Sequence, residues 1–394
     1  MRFRRLPPAV LACSTLWCMA ACQAQVPSAA DTVAVSGLMN YGSGKSVWTD
    51  KLQALSRGKN EKLRILQIGD SHTAGDYFTH ALRQNLQQRF GNGGIGWVYP
   101  QRVNGQRQAQ IEYSGEGWDI LSSRNRTDDF PLGGIIARSK GGSAGLNPRQ
   151  AQTDTADITF VIRPVLASAP LRVSDAYGQT VAEWSAHAVG SWQYHSVQAA
   201  LPIRYHAQAD DVWDVGHINI ENKQPGVIVS AMGINGAQLS HWQRWRSDWA
   251  QDLAATRADL VILAYGTNEA FDKQLDLAAT AQTLRERITQ IRRALPKADV
   301  LIVGAPESLQ NKGSQGCSSR PAMLDAVQQL QQDIARTQQT WYWSWQDAMG
   351  GRCSMKSWMS QGLAARDAVH FSADGYRRAG GALAEALAAQ VGKH

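Results

Sequence analysis

The chain has 394 residues, 43% hydrophobic and 19% charged, with no internal repeat or low-complexity tract, so it can build a core and has room for a large insertion. Its formal net charge is +7, part of it from Arg2, Arg4 and Arg5 at the extreme N-terminus. No basic stripe or recognition motif accompanies that charge, which excludes a nucleic-acid partner and suits an anionic cell envelope.

Residues 1–22 read as an export signal. "MRFRR" is a basic head, and "PAVLACSTLWCMAA" is an apolar stretch too short to span a bilayer comfortably. It ends in "MAAC", which resembles a lipobox, with Cys22 lipidated to become the mature N-terminus. The expected location is the periplasm, with anchoring to the outer membrane as a lipoprotein. Cleavage near "SAA" (28–30) would instead give a soluble periplasmic protein. Cys13 and Cys18 fall within the signal, leaving Cys317 and Cys353 as an even pair expected to form one disulfide. Neither CxxC nor clustered-histidine spacing is present, so no metal site is expected.

From 31 to 100, "LRILQIG" reads as a buried parallel strand, and "DYFTHALRQNLQQRF" as a helix with Phe78, Leu82, Leu86 and Phe90 on one face. "GNGGIG" then lies after a helix and lacks Gly-Lys-Ser/Thr, so it is no phosphate loop. From 101 to 225 helical periodicity gives way to short alternating runs divided by turn residues, the pattern of a β-sandwich. From 226 to 394 apolar runs ending in loops ("GVIVSAMG", "ADLVILAYG", "ADVLIVGAP") alternate with helical stretches. One of these, "HWQRWRSDWAQDLAAT", carries Trp242, Trp245 and Trp249 as a helical stripe. The whole predicts one α/β domain with a parallel sheet covered on both faces, interrupted by a β-rich insertion.

Four candidate strand ends or loops carry distinctive polar groups: Gly69-Asp70-Ser71-His72, Gly233-Ile234-Asn235-Gly236, Gly266-Thr267-Asn268-Glu269 and Asp367-Ala368-Val369-His370. Acyl transfer by serine needs a hydroxyl at a helix start, a base, a carboxylate to orient it, and oxyanion donors. Ser71, His370 and Asp367 can fill the first three roles, and Gly236 and Asn268 can donate to the oxyanion. Asp70 is the weaker candidate for the orienting acid, and Glu269 reads as structural. Trp184, Trp192 and Trp213 in the insertion suit either sugar stacking or packing.

The blocks "GDSH", "GINGA", "YGTNEA" and "DAVHF", in that order, resemble those of the SGNH (GDSL-type) hydrolases. The resemblance implies a three-layer α/β/α fold without cofactor, Ser71 as nucleophile, His370 as base and Asp367 as its orienter. It also implies an oxyanion hole from the Ser71 N–H, Gly236 and Asn268. His72 departs from the fourth residue of "GDSL". The longer strings "IGDSHTAGDYF", "GINGAQLSHW" and "DAVHFSADGY" are most similar to the peptidoglycan O-acetylesterases of Gram-negative bacteria. Those enzymes deacetylate the C6 hydroxyl of N-acetylmuramic acid and carry an inserted carbohydrate-binding-module-like β-sandwich. The expected substrate is therefore O-acetylated cell-wall glycan. The alternatives are an O-acetyltransferase, an O-acetylesterase acting on another envelope or plant polysaccharide, or a non-catalytic glycan-binding lipoprotein.

Overall fold

The computed structural model describes residues 37–392 except 43, 45, 151–153, 312 and 314–316. The export signal, Cys22 and its lipidation lie outside the described residues. No helix among the described residues is long and apolar enough to cross a membrane.

Apolar runs flanked by glycine-containing loops become the strands of a central sheet. These are β1 (Leu38–Asn40), β2 (Lys62–Gly69), β3 (Gly226–Gly233), β4 (Leu260–Ala264), β5 (Asp299–Val303) and β6 (Trp341–Trp343). They lie in the order β1-β6-β5-β4-β2-β3, all parallel except β1, which runs antiparallel to β6. Side chains alternate between two cores. Leu63, Ile65, Val227 and Val229 face one, with helices α1 (Val47–Ser56), α3 (Phe78–Phe90) and α10 (Ala373–Ala388). Leu66, Ile68, Val261 and Leu263 face the other, with α4 (Trp249–Thr256), α6 (Leu277–Ala294) and α7 (Leu324–Thr337). The expected stripe of Phe78, Leu82 and Leu86 is buried in the first core. Between these lie the short helices α2 (Ser71–Ala74), α5 (Thr267–Phe271), α8 (Trp345–Ala348) and α9 (Met355–Ser360).

Between α3 and β3 the chain builds two packed antiparallel sheets around a core of Phe160, Tyr205, Trp213 and Ile218. The sandwich takes its first strand earlier than the change of texture at 101 implies. Gly94–Val98, which begins within the glycine-rich stretch, pairs antiparallel with Val212–Glu221. Trp184, Trp192 and Trp213 are all buried. Trp184 stacks on His195, and the Arg163 guanidinium covers Trp192. None of the three lies open for a sugar ring.

The tryptophan stripe does not form one helix. A 3₁₀ turn, Leu239–Arg244, ends at Trp245, whose backbone is extended (φ −80°, ψ 160°), and α4 begins at Trp249. The sandwich causes the break: Phe130 forms a parallel bridge with Trp245, and its carbonyl accepts the Arg246 N–H at 2.8 Å. The three indoles still pack together, Trp242 stacked on Trp245 and Trp249 edge-on to both. The buried Asp252 of α4 fastens the sandwich to this segment. It accepts from the Leu132 N–H at 2.9 Å, from Arg246 at 2.7 Å and from the Tyr194 hydroxyl.

Candidate active site

Counting only the parallel strands, the order is 2-1-3-4-5, a doubly wound sheet whose direction of winding reverses between β2 and β4. Crevices at such a reversal, outside the carboxyl ends of the strands, are where α/β sheets bind ligands. Register brings the blocks together there. Gly233 of β3 and Ala264 of β4 both pair with Gly69 of β2, so three strands end side by side. The loops beyond those strand ends carry Ser71, Gly236 and Asn268.

Ser71 opens α2, with buried Asp70 as its N-cap accepting the His72 N–H at 2.9 Å. The turn sits tight across the sheet. A Cβ on Gly69 would come within 2.3 Å of Thr73 Oγ1, and one on Gly233 within 2.3 Å of the Ala74 nitrogen. The Ser71 hydroxyl lies 2.8 Å from His370 Nε2, and His370 Nδ1 lies 2.7 Å from Asp367 Oδ2. The other Asp367 oxygen accepts the Val369 and His370 N–H groups at 3.0 and 2.9 Å, closing a tight loop through Ala368 at φ +58°. Leu309 ties that loop to the body by donating its N–H to the Ala368 carbonyl at 2.9 Å. Partial burial works to raise the Asp367 pKa. The hydrogen bond with His370 and those from the two backbone N–H groups outweigh it and hold the carboxyl below its ordinary value. Asp367 is therefore ionised and aligned with the imidazole.

Among the described residues, neither the Ser71 nor the Gly236 N–H has a protein acceptor. Gly236 sits at φ +68°, a left-handed conformation natural to glycine. Asn268 donates one carboxamide N–H to the Ala237 carbonyl at 2.9 Å and keeps the other free. Glu269, 4% exposed, holds these two loops in mutual register. It accepts the Leu239 N–H at 2.8 Å and the Gly266 N–H at 3.0 Å. Its structural reading is thus a specific one: it joins the loop bearing Gly236 to the helix bearing Asn268.

Two further groups lie behind the serine. Burial, with Glu269 nearby, pushes the Asp70 carboxyl up to about 8, so it stays protonated near neutrality and does not touch His370. Burial, reinforced by His370, pushes His72 down to about 3. Its Nδ1 is hydrogen-bonded to the Tyr376 hydroxyl at 2.9 Å, and its ring lies 5.2 Å from that of His370 amid Trp345, Phe371 and Tyr376. A neutral ring there supports His370 without adding a second charge.

The insertion takes part in the site. Asn235, the neighbour of Gly236, donates its carboxamide N–H to the Gly105 carbonyl at 2.8 Å. Its own carbonyl accepts from the Arg124 guanidinium. Sequence reading missed Arg124, which lies 111 residues from its partner and belongs to no local pattern. Cys317 and Cys353 are joined by a disulfide. No group of three or more metal-ligating side chains occurs among the described residues.

Two family models match the chain: "Peptidoglycan O-acetylesterase, N-terminal" over residues 93–204, and "GDSL-like Lipase/Acylhydrolase family" over residues 172–378. A solved peptidoglycan O-acetylesterase is 51% identical, covers 90% of this chain and 99% of its own, and superposes with a TM-score of 0.84. The chain belongs to the peptidoglycan O-acetylesterase family. An acetyl xylan esterase is 14% identical over 41% of this chain and 80% of its own, with a TM-score of 0.31. A family two carbohydrate esterase from Cellvibrio japonicus is 10% identical over 71% and 99%, with a TM-score of 0.30. At such scores neither likeness carries weight for the reaction. No curated protein matches the chain. The first match falls within the inserted sandwich, and the second runs from late in the sandwich through the segments bearing Gly236, Asn268, Asp367 and His370.

Proposed function

We propose that this protein is a serine esterase that removes O-acetyl groups from the C6 hydroxyl of N-acetylmuramic acid in cell-wall peptidoglycan. The observation that carries the reading is the unbroken relay Asp367–His370–Ser71, at 2.7 and 2.8 Å, standing at the winding reversal of the sheet. Membership of the peptidoglycan O-acetylesterase family supports the choice of ester.

In this mechanism Ser71 Oγ attacks the acetyl carbonyl carbon while His370 Nε2 takes the hydroxyl proton. Asp367 keeps the imidazole in the tautomer with hydrogen on Nδ1 and stabilises the imidazolium that forms. The tetrahedral oxyanion is received by the free N–H groups of Ser71 and Gly236 and the free carboxamide N–H of Asn268. Collapse expels the sugar oxygen, which His370 protonates, leaving acetyl-Ser71. His370 then draws a proton from water as the water oxygen attacks the acetyl carbonyl carbon, and a second collapse breaks the bond to Ser71 Oγ, returns the proton to that oxygen and releases acetate. The basic and apolar N-terminus ending at Cys22 supports a periplasmic enzyme tethered to the outer membrane, as part of the same proposal.

The test is acetate release from O-acetylated peptidoglycan and from acetylated xylan, wild type against Ser71→Ala. Loss of the nucleophile is expected to lower the rate by about 10⁴–10⁶. Equal release by both proteins refutes the mechanism. Release from xylan but not from peptidoglycan overturns the substrate and leaves the chemistry standing.

A further inference from the structure

Where the sandwich meets the oxyanion loop stand two arginines, one from each side, and neither is ion-paired among the described residues. Arg124 is exposed on the segment after strand Trp118–Ser122. Its guanidinium lies so close to Gly236 that a Cβ there would come within 2.6 Å of Nη1. Nη1 is spent on the Asn235 carbonyl, while Nε and Nη2 have no protein acceptor among the described residues. Arg244, from the 3₁₀ turn on the esterase side, donates Nη1 to the Ser123 carbonyl at 3.3 Å and to the Arg124 carbonyl, and so holds that segment in place. Arg124 lines a small cleft with Gln238 and His241. Burial, then the charges of Arg244 and Arg124, hold the His241 pKa below its usual value, so this ring stays neutral between them.

Four other arginines of this junction are used differently. Arg64 is paired to Glu221, Arg138 and Arg163 to Asp214, and Arg246 to Asp252. Each of those is a tie between elements with its charge neutralised. Arg124 and Arg244 keep their charge at the rim of the catalytic crevice, and a guanidinium with a free edge is matched to a carboxylate.

We infer that Arg124, braced by Arg244, is a specificity-determining residue that binds a carboxylate carried on the sugar bearing the ester. This rests on the proposed esterase reading. Muramic acid, unlike glucosamine, carries a lactyl carboxyl at the 3-position, either free or extended by a peptide with carboxylates of its own. The subsite would thus select the acidic sugar of the glycan strand while the acetyl group enters the oxyanion hole.

The test is competitive inhibition of 4-nitrophenyl acetate hydrolysis by N-acetylmuramic acid, its dipeptide conjugate and neutral N-acetylglucosamine, using wild type, Arg124→Gln and Arg124→Lys. One charge-assisted hydrogen bond at an exposed site leads us to expect about tenfold tighter inhibition of wild type by the acidic sugar, shrinking with added salt. Arg124→Gln should erase the preference, and Arg124→Lys should restore part of it. A purely structural Arg124, acting only through Asn235, would change the turnover of every variant and leave the inhibitor ratio intact. Equal inhibition of wild type by acidic and neutral sugars, or by none of them, overturns the subsite whatever polymer the enzyme uses. Better inhibition by the dipeptide than by the free acid assigns the carboxylate to the peptide, and the reverse order assigns it to the lactyl group. Failure of the esterase reading shows separately, as no acetate from peptidoglycan by the wild type.

Discussion

Replacing Gly236 by alanine tests the oxyanion loop and its support from the sandwich together. The residue sits at φ +68°, where an alanine costs about 1–2 kcal/mol. The added methyl would lie 2.6 Å from Arg124 Nη1 and 2.7 Å from its Cζ, so the guanidinium or the peptide must move. Turning the 235–236 peptide away relieves both problems and takes the Gly236 N–H out of the site. Loss of one such donor costs about 2.7–4 kcal/mol in the transition state, or 10²–10³ in kcat. KM should change little, because the donor acts on charge that develops only during reaction. The assay is steady-state hydrolysis of 4-nitrophenyl acetate, with calorimetry to confirm folding. A second variant, Gly236→Ala with Arg124→Ala, removes the collision and keeps the backbone strain. Recovery of kcat in the double variant would make the guanidinium the cause. A folded Gly236→Ala enzyme with kcat within about threefold of wild type, a barrier change under 1 kcal/mol, would refute the role of this N–H.

Two other outcomes concern groups near the site and the cross-link. Folding holds the proton on Asp70 up to about pH 8, whereas an unfolded chain releases it near pH 4. Wild-type stability should therefore fall as pH rises through that window, by at most about 1.4 kcal/mol per unit, and level off above it. Asp70→Asn lacks this proton, so its Tm relative to wild type should climb from pH 5 to pH 8. A pH-independent difference would show that burial does not perturb this carboxyl. Replacing Cys317 and Cys353 together by serine frees a cross-link with a sequence separation of 36. A loop of that size is worth about 3–4 kcal/mol. Calorimetry should find a Tm lower by several degrees, and an unchanged Tm would count against the bond as a stabiliser.

The parts of the site readable in the sequence share one physical origin. Each block ends a buried strand or forms a short polar loop, and parallel strands in register must deliver such loops to the same edge. Ser71, Gly236 and Asn268 were legible for that reason, and Asp367 and His370 because a three-residue spacing closes a local hydrogen-bonded turn. What was not legible depends on the sandwich docking onto the esterase. The bridge from Phe130 interrupts a helix that the spacing of Trp242, Trp245 and Trp249 alone would extend. Arg124 reaches Asn235 only because two distant segments meet. The early start of the sandwich at Gly94 was hidden because glycines carry no alternating apolar signal. The tie that Glu269 makes between two loops requires both loops to be in place.

The chain departs from the esterase at Gly93 and comes back at Asn222, and the Gly93 carbonyl accepts the Asn222 N–H at 2.9 Å. Because the two ends already touch, the sandwich is a cartridge: a tight turn in its place would leave the parallel sheet with no gap to bridge and little loop-closure entropy to absorb. Chain continuity therefore sets no barrier to gain or exchange of the whole unit. Function is the stricter filter. Only a replacement whose loops again grip Asn235 from both sides, as Gly105 and Arg124 do, would leave the reaction as it is. Folding restricts the exchange as well, because Phe130, Leu132 and Trp192 of the sandwich share one core with Trp242, Trp245 and Trp249 of the esterase.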